Sequence, residues 1–206
     1  PKYADFVFDD PAREYWSENM VLFDSKVNDK GEATVPANIE VSVDPPGLMQ
    51  ANFTVRAFEP GGNFSIDRFS MPYYYYDNYV GIKLPKGDAA RNMLLTDTDH
   101  TVRVVTVDQD GKPVQRGNVE MELFKIDWKW WFDKDKDKVA AYRGELSYDP
   151  IETGTISTNA SGEGEWQFNV AYPIWGRFFV RACDEGGHCT GQVVYIDWPG
   201  WAGRSE

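Results

Sequence analysis

Thr101-Val102-Arg103-Val104-Val105-Thr106-Val107 is β-branched at every position but Arg103. It runs into Asp108-Gln109-Asp110-Gly111-Lys112-Pro113 and then into Val119-Glu120-Met121-Glu122-Leu123. Branched side chains fit a pleated surface. An Asp-Gly between two such runs marks a hairpin turn, because Gly accepts the positive φ that the turn needs. The second run alternates, with Val119, Met121 and Leu123 on one face and Glu120 and Glu122 on the other, which is the period of a half-buried strand. Beyond Leu123 the parity reverses: Phe124, Ile126, Trp128 and Trp130 are apolar, while Lys125, Asp127 and Lys129 are polar. A slip of one residue turns every side chain to the other face, so this reversal predicts a β-bulge or a change of sheet near Leu123-Phe124.

The same period continues downstream. Strands are expected over 139–148, 154–158, 164–170, 176–183 and 191–198, with Ser157-Thr158-Asn159-Ala160-Ser161-Gly162 as a polar turn. Together they predict an all-β, antiparallel, seven-stranded sandwich of immunoglobulin-like type. Upstream, strands are expected over 3–8, 20–28, 31–38, 50–58, 64–73 and 80–84, with Asn28-Asp29-Lys30-Gly31 as a turn. That is short of a full sandwich. Leu84-Pro85-Lys86-Gly87-Asp88 reads as the boundary, giving residues 1–84 as a sandwich lacking its first strands and 85–206 as a complete one in tandem. Residues 89–95 form at most one or two helical turns.

The 206 residues carry 33 acidic and 21 basic side chains, a formal charge of −12, which argues against a nucleic-acid partner, because phosphate binding draws on clustered Lys and Arg. Hydrophobic residues make up 42%, aromatic ones 15%, enough to build a packed core. No apolar run approaches the roughly 18–20 residues of a membrane-spanning helix. No basic-then-apolar signal segment opens the sequence at Pro1.

Cys183 and Cys189 flank Asp184-Glu185-Gly186-Gly187-His188. Facing strands bring paired residues within reach of a disulfide, and closing so short a loop contributes only about 2 kcal/mol. A structural disulfide is the expected reading; two free thiols, or metal binding with His188, are the others. A bridge implies an oxidising compartment such as the periplasm. Asp133, Asp135 and Asp137 alternate with lysines, but a calcium loop wants Gly and a bidentate Glu where Lys138 and Gly144 stand. Those acids read as a solvated connection. With His100 and His188 the two imidazoles of the chain, a Ser-His-Asp triad is not expected, and no Gly-x-Ser-x-Gly, His-Glu-x-x-His, phosphate loop or dinucleotide fingerprint occurs. No catalytic, cofactor-binding or metal residue is assigned. The aromatics Trp128, Trp130 and Trp131, the run Tyr73 to Tyr76, and Trp198 with Trp201 have two readings. They fill the core or a domain interface, or they present rings to a carbohydrate or protein. A glycosidase with paired carboxylates is a third reading that no pair among the acids singles out.

Several stretches resemble the bacterial α-2-macroglobulin family: Leu84 to Asp88, Asp97-Thr98-Asp99-His100, Val107 to Val114, Phe124 to Trp131, Trp175-Gly176-Arg177, Gly187 to Gly191 and, most of all, Tyr195-Ile196-Asp197-Trp198-Pro199-Gly200-Trp201-Ala202-Gly203. Tyr3-Ala4-Asp5-Phe6 and Phe58-Glu59-Pro60-Gly61-Gly62 extend the resemblance over nearly the whole chain. The resemblance implies tandem macroglobulin-type sandwiches within a larger periplasmic protein, often a lipoprotein of the inner membrane. Such a protein entraps a protease after the protease cuts a bait segment, and a thioester captures it. The implied role of this chain is scaffold, not enzyme, with target proteases met through the parent protein and neighbouring macroglobulin-type domains as partners. The thioester motif Cys-x-Glu-Gln is not met. Cys183 is followed by Asp184-Glu185-Gly186, with Gly where Gln is needed, and Cys189 by Thr190-Gly191-Gln192. No segment is long enough to read as bait.

Overall fold

In the computed structural model, residues 2–89, 91–126 and 149–198 are described. Ten strands follow in order: β1 Met49–Phe58, β2 Phe64–Tyr73, β3 Asn78–Lys83, β4 Leu94–Leu95, β5 Asp99–Asp108, β6 Val119–Ile126, β7 Glu152–Ile156, β8 Glu163–Asn169, β9 Gly176–Asp184 and β10 Cys189–Asp197. They make a three-stranded sheet β3-β5-β8, a five-stranded sheet β4-β10-β9-β6-β7 and a separate two-stranded ribbon β1-β2. All pairings are antiparallel except the short β4-β10 one.

The two larger sheets face each other. Val80, Ile82, Val102, Val104, Trp166 and Phe168 from one meet Val119, Met121, Leu123, Phe178, Val180, Ala182 and Ile196 from the other in a single buried cluster. The all-β sandwich expected from the alternation is therefore present. Seven longer strands and the two-residue β4 compose it among the described residues. One of the seven, β3, comes from before the Leu84–Asp88 turn. It pairs with β5 from Asn78↔Asp108 to Lys83↔Arg103 and is buried through Tyr79 to Ile82. The sandwich thus draws a strand from ahead of the expected boundary. Ahead of β4, Asn92 N donates to Asp88 O at 2.9 Å, and among the described residues of 89–95 no helix forms.

The parity reversal in β6 has a different cause from the one expected. β6 pairs with β9 residue for residue from Val119↔Asp184 to Ile126↔Arg177, with no bulge and no change of sheet. Phe124 and Ile126 simply point to the outer face of the five-stranded sheet, where they cluster with Phe179, Val193 and Ala12. At this end both faces of β6 are covered, so both carry apolar residues. The strand expected over 139–148, the acids Asp133, Asp135 and Asp137, and Trp128, Trp130, Trp131 and Trp201 lie outside the described residues.

The first 48 residues differ most from expectation. Among the described residues there, the strands expected over 3–8, 20–28 and 31–38 do not form, and one isolated bridge, Val7↔Ile82, remains. The Asn28 turn is made: Asn28 N donates to Glu32 O at 2.9 Å and Gly31 takes φ +77°. Its flanks carry no ladder. Met20, Val21, Phe23, Val27 and Val35 are exposed, and a strand without a sheet face to bury gains too little to form. The ribbon β1-β2 does form, in unbroken register from Met49↔Tyr73 to Phe58↔Phe64.

Candidate functional site

A strap formed by residues 2–13 crosses the side of the sandwich and then its outer face. Val7 exchanges both backbone hydrogen bonds with Ile82 of β3, at 2.8 and 2.9 Å. Two residues on, Asp9 O accepts from Gly191 N of β10 at 3.0 Å. Thr190 Oγ1 donates to Val7 O at 2.8 Å. The strap thereby ties the free edges of the two sheets to one another. Two glycines permit close packing here, Gly81 beneath the strap and Gly191 beneath Phe179 of β9. A Cβ on Gly81 would lie 2.6 Å from the Phe8 ring, and one on Gly191 would lie 2.2 Å from the Phe179 ring. Glycine is the residue that permits such close approach.

Past Asp9 the strap turns onto the outer face. Asp10 is fully buried, and its Oδ2 accepts from Arg181 Nε at 2.9 Å and Nη2 at 2.8 Å. Arg181 Nη1 also reaches Glu122 Oε2 at 3.3 Å. Asp10 Oδ1 accepts from Ala12 N at 3.0 Å, which bends the chain so that Ala12 enters the Phe124, Ile126, Phe179 and Val193 cluster. Every lone pair of this buried carboxylate that the geometry uses has a partner, as a buried charge requires.

Arg13 follows and reaches the β9-β10 hairpin tip. Its Nη2 donates to Gly187 O at 2.8 Å and contacts Cys189 Sγ at 3.2 Å, while its Nη1 donates to Tyr76 Oη. Tyr76 in turn donates to Pro45 O at 2.8 Å. Burial raises the Tyr76 phenol, opposed by the Arg13 charge. Cys183 and Cys189 occupy directly paired positions of β9 and β10 and are joined as the expected disulfide, with Cα atoms 4.1 Å apart.

His188, at the tip, is fully buried against the ring edges of Tyr76 and Tyr79. Its Nδ1 accepts from Val80 N at 3.0 Å, which assigns the ring proton to Nε2. Burial, aided by the Arg13 charge, lowers its pKa from 6.5 to about 3. Asp184 Oδ1 accepts from His188 N at 3.2 Å and Oδ2 lies 3.7 Å from Arg116 Nε. Burial raises the Asp184 carboxyl, and Arg116 opposes that rise.

This arrangement holds parts together. His188 is neutral, shielded and spends its lone pair on a strand amide, so it is poorly placed as a base or a metal ligand. His100 sits apart on β5, its Nε2 2.7 Å from Leu95 O. Among the described residues no group of three His, Cys, Asp or Glu side chains is placed to hold a metal ion. Asp77, Asp108 and Asp110 line one surface hollow, but Asp108 Oδ1 already accepts from Asp110 N and Lys112 N, and Asp110 pairs with Lys112. Neither cysteine offers a thiol. The sequence pointed to the disulfide but not to Asp10, Arg13 or Arg181; no period or motif marks residues whose partners lie more than 170 positions away.

The bacterial macroglobulin domain 6 profile matches residues 81–198. No curated protein matches the chain. Among solved structures, Escherichia coli α-2-macroglobulin in its native conformation is similar over 94% of this chain at 16% identity and a TM-score of 0.56. The trypsin-activated form of the Escherichia coli protein gives the same identity and coverage at a TM-score of 0.59. The Salmonella protein reacted with methylamine gives 94%, 14% and 0.53. At such identities the likeness is one of fold. In each case the chain spans 13% of the length of the solved protein.

Proposed function

Because the chain belongs to the bacterial macroglobulin domain 6 family, we propose that it is a scaffold segment of a larger α-2-macroglobulin-type protein that entraps proteases after bait cleavage. One observation carries the reading. The chain has two cysteines, and both are consumed in one disulfide. No thiol remains here for a thioester, so covalent capture belongs to other parts of the parent. The buried clamp of Asp10, Arg181 and Glu122 and the doubly tied strap are what a load-transmitting frame needs: few mobile groups and many long-range ties. The chain is accordingly not an enzyme. Its partners are neighbouring macroglobulin-type domains of the same parent and, through the parent, target proteases. The disulfide supports a periplasmic location, and a lipid anchor on the parent fits the same setting. The expected first sandwich, residues 1–84 without its first strands, is on this reading a neighbouring macroglobulin-type domain, of which the β1-β2 ribbon is a part.

Protease-protection assays test this. The parent, incubated with a broad-specificity protease, should form a compacted complex that still cleaves small peptides but not large proteins. The 206-residue chain alone should leave both activities unchanged; inhibition by the isolated chain overturns the scaffold reading.

A second reading, a carbohydrate- or protein-binding module, draws on one feature. Tyr172 and Trp175 are each 50% exposed, and Tyr172 lies 4.9 Å from the Trp198 ring. Aromatic rings so displayed suit sugar faces. A saturable change in tryptophan emission on glycan titration would favour it.

A further inference from the structure

The disulfide lies on the outer face of the five-stranded sheet, beside the strap, and its two sulfurs differ. Cys189 is buried, and its Sγ is 3.2 Å from the Arg13 guanidinium. Cys183 is half-buried, and its register partner on β6 is the exposed Glu120, whose side chain shares that outer face. A cation thus stands at the Cys189 sulfur, while Cys183 has the acidic Glu120 as its register partner. A neighbouring Arg stabilises a thiolate, and in thiol–disulfide exchange the sulfur with the more stable thiolate is the one that leaves.

We propose that Cys183–Cys189 is a redox site with a built-in direction: a dithiol reductant attacks Cys183, and Cys189 departs as a thiolate paired with Arg13. The attacking thiolate supplies the electron pair of the new bond to Cys183 Sγ, and the Cys183–Cys189 bond breaks with its pair on Cys189 Sγ. The second thiol of the reductant loses its proton to solvent and attacks the reductant sulfur of the mixed disulfide. Cys183 is released, takes a proton from water, and the reductant leaves as a cyclic disulfide. Two electrons pass from dithiol to protein. Arg13 belongs to the strap, so the strap controls this chemistry. With the strap docked, the leaving group is stabilised; with it undocked, that assistance is lost.

Two measurements on the full chain at one pH test the proposal. Brief exposure to 2-mercaptoethanol, acid quenching, alkylation and fragment mass spectrometry should find the adduct on Cys183 and the free, alkylated thiol on Cys189. An adduct mainly on Cys189, or shared evenly, overturns it. Reduction by dithiothreitol should slow by about tenfold in Arg13→Gln and stay near the parent rate in Arg13→Lys, since lysine keeps the charge. An Arg13→Gln rate equal to or above the parent rate also overturns it. The adduct position needs no variant, so it decides the matter even if Arg13→Gln folds poorly.

Discussion

Asp10 and Arg181 form a buried ion pair between strap and sheet. Removing one member of such a pair leaves the other charge buried without a partner, at a cost of about 3–5 kcal/mol. Asp10→Ala and Arg181→Met should each lower the stability of the sandwich by that order in urea denaturation. The pair Asp10→Leu with Arg181→Met should recover part of the loss, because the two most deeply buried charges go together and the partly exposed Glu122, which loses Arg181, can still be hydrated. His188 predicts a pH dependence. Its folded pKa of about 3 lies below the ordinary 6.5, so the unfolded chain binds the extra proton first. Stability is full above pH 6.5 and falls on acidification, by at most about 1.4 kcal/mol per pH unit, until about pH 3. The raised Asp184 carboxyl acts the other way: the folded chain takes up its proton at higher pH than the unfolded one, which offsets part of the fall. Denaturation between pH 7 and pH 4 should therefore give a flatter profile for His188→Gln and a steeper one for Asp184→Asn.

At the scale of elements, the ribbon and the sandwich strands behave differently for a visible reason. One face of β1-β2 carries Met49, Ala51, Phe53 and Val55 opposite Tyr73, Met71 and Phe69, with Phe53 stacked on Phe69 at 4.9 Å. Val55, Phe69 and Met71 remain at least half exposed. A two-stranded ribbon with an uncovered apolar face is marginal on its own. Its amides should exchange far faster than those of β5 and β9; equal protection would mean that something in this chain covers it. Gly191→Ala offers a second element-scale prediction. Its Cβ would meet the Phe179 ring, so a loss of about 1–3 kcal/mol is expected, together with faster exchange of the Gly191 amide. The strands of the sandwich were legible in the sequence because each buries a face, and burial writes alternation into Val119–Leu123. The stretches over 20–28 and 31–38 also carry apolar residues, yet such residues only state what a strand would bury, not that a partner sheet is present. At β6 the reversal of parity is legible in the sequence, but its cause is not. Ala12, a single small residue, supplies the cover for Phe124 and Ile126, and nothing in its neighbourhood advertises that.

For the whole molecule, the strap sets what unfolds with what. Val7, Asp9, Asp10 and Arg13 spend their bonds on β3, β9, β10 and the hairpin tip, so the start of the chain is thermodynamically part of the sandwich even though the family profile begins at residue 81. Hydrogen exchange in dilute denaturant should group the Val7, Ile82 and Gly191 amides with the sandwich, apart from the ribbon between them. Grouping of Val7 with β1-β2 would contradict that assignment. The disulfide at the tip was legible from the short spacing of Cys183 and Cys189. The clamp was not, since sequence reading sees neighbours and this clamp joins strangers. That separation also bears on the order of events during synthesis. Val7 and its partner Thr190 are 183 residues apart. At roughly 5–20 residues per second, Val7 would wait about 10–40 s after it is made before Thr190 exists. Through most of that interval Ala12 lacks Phe179 and Val193, and Asp10 lacks the Arg181 guanidinium it finally meets. The residues of this stretch that are made first are among its last to find their places.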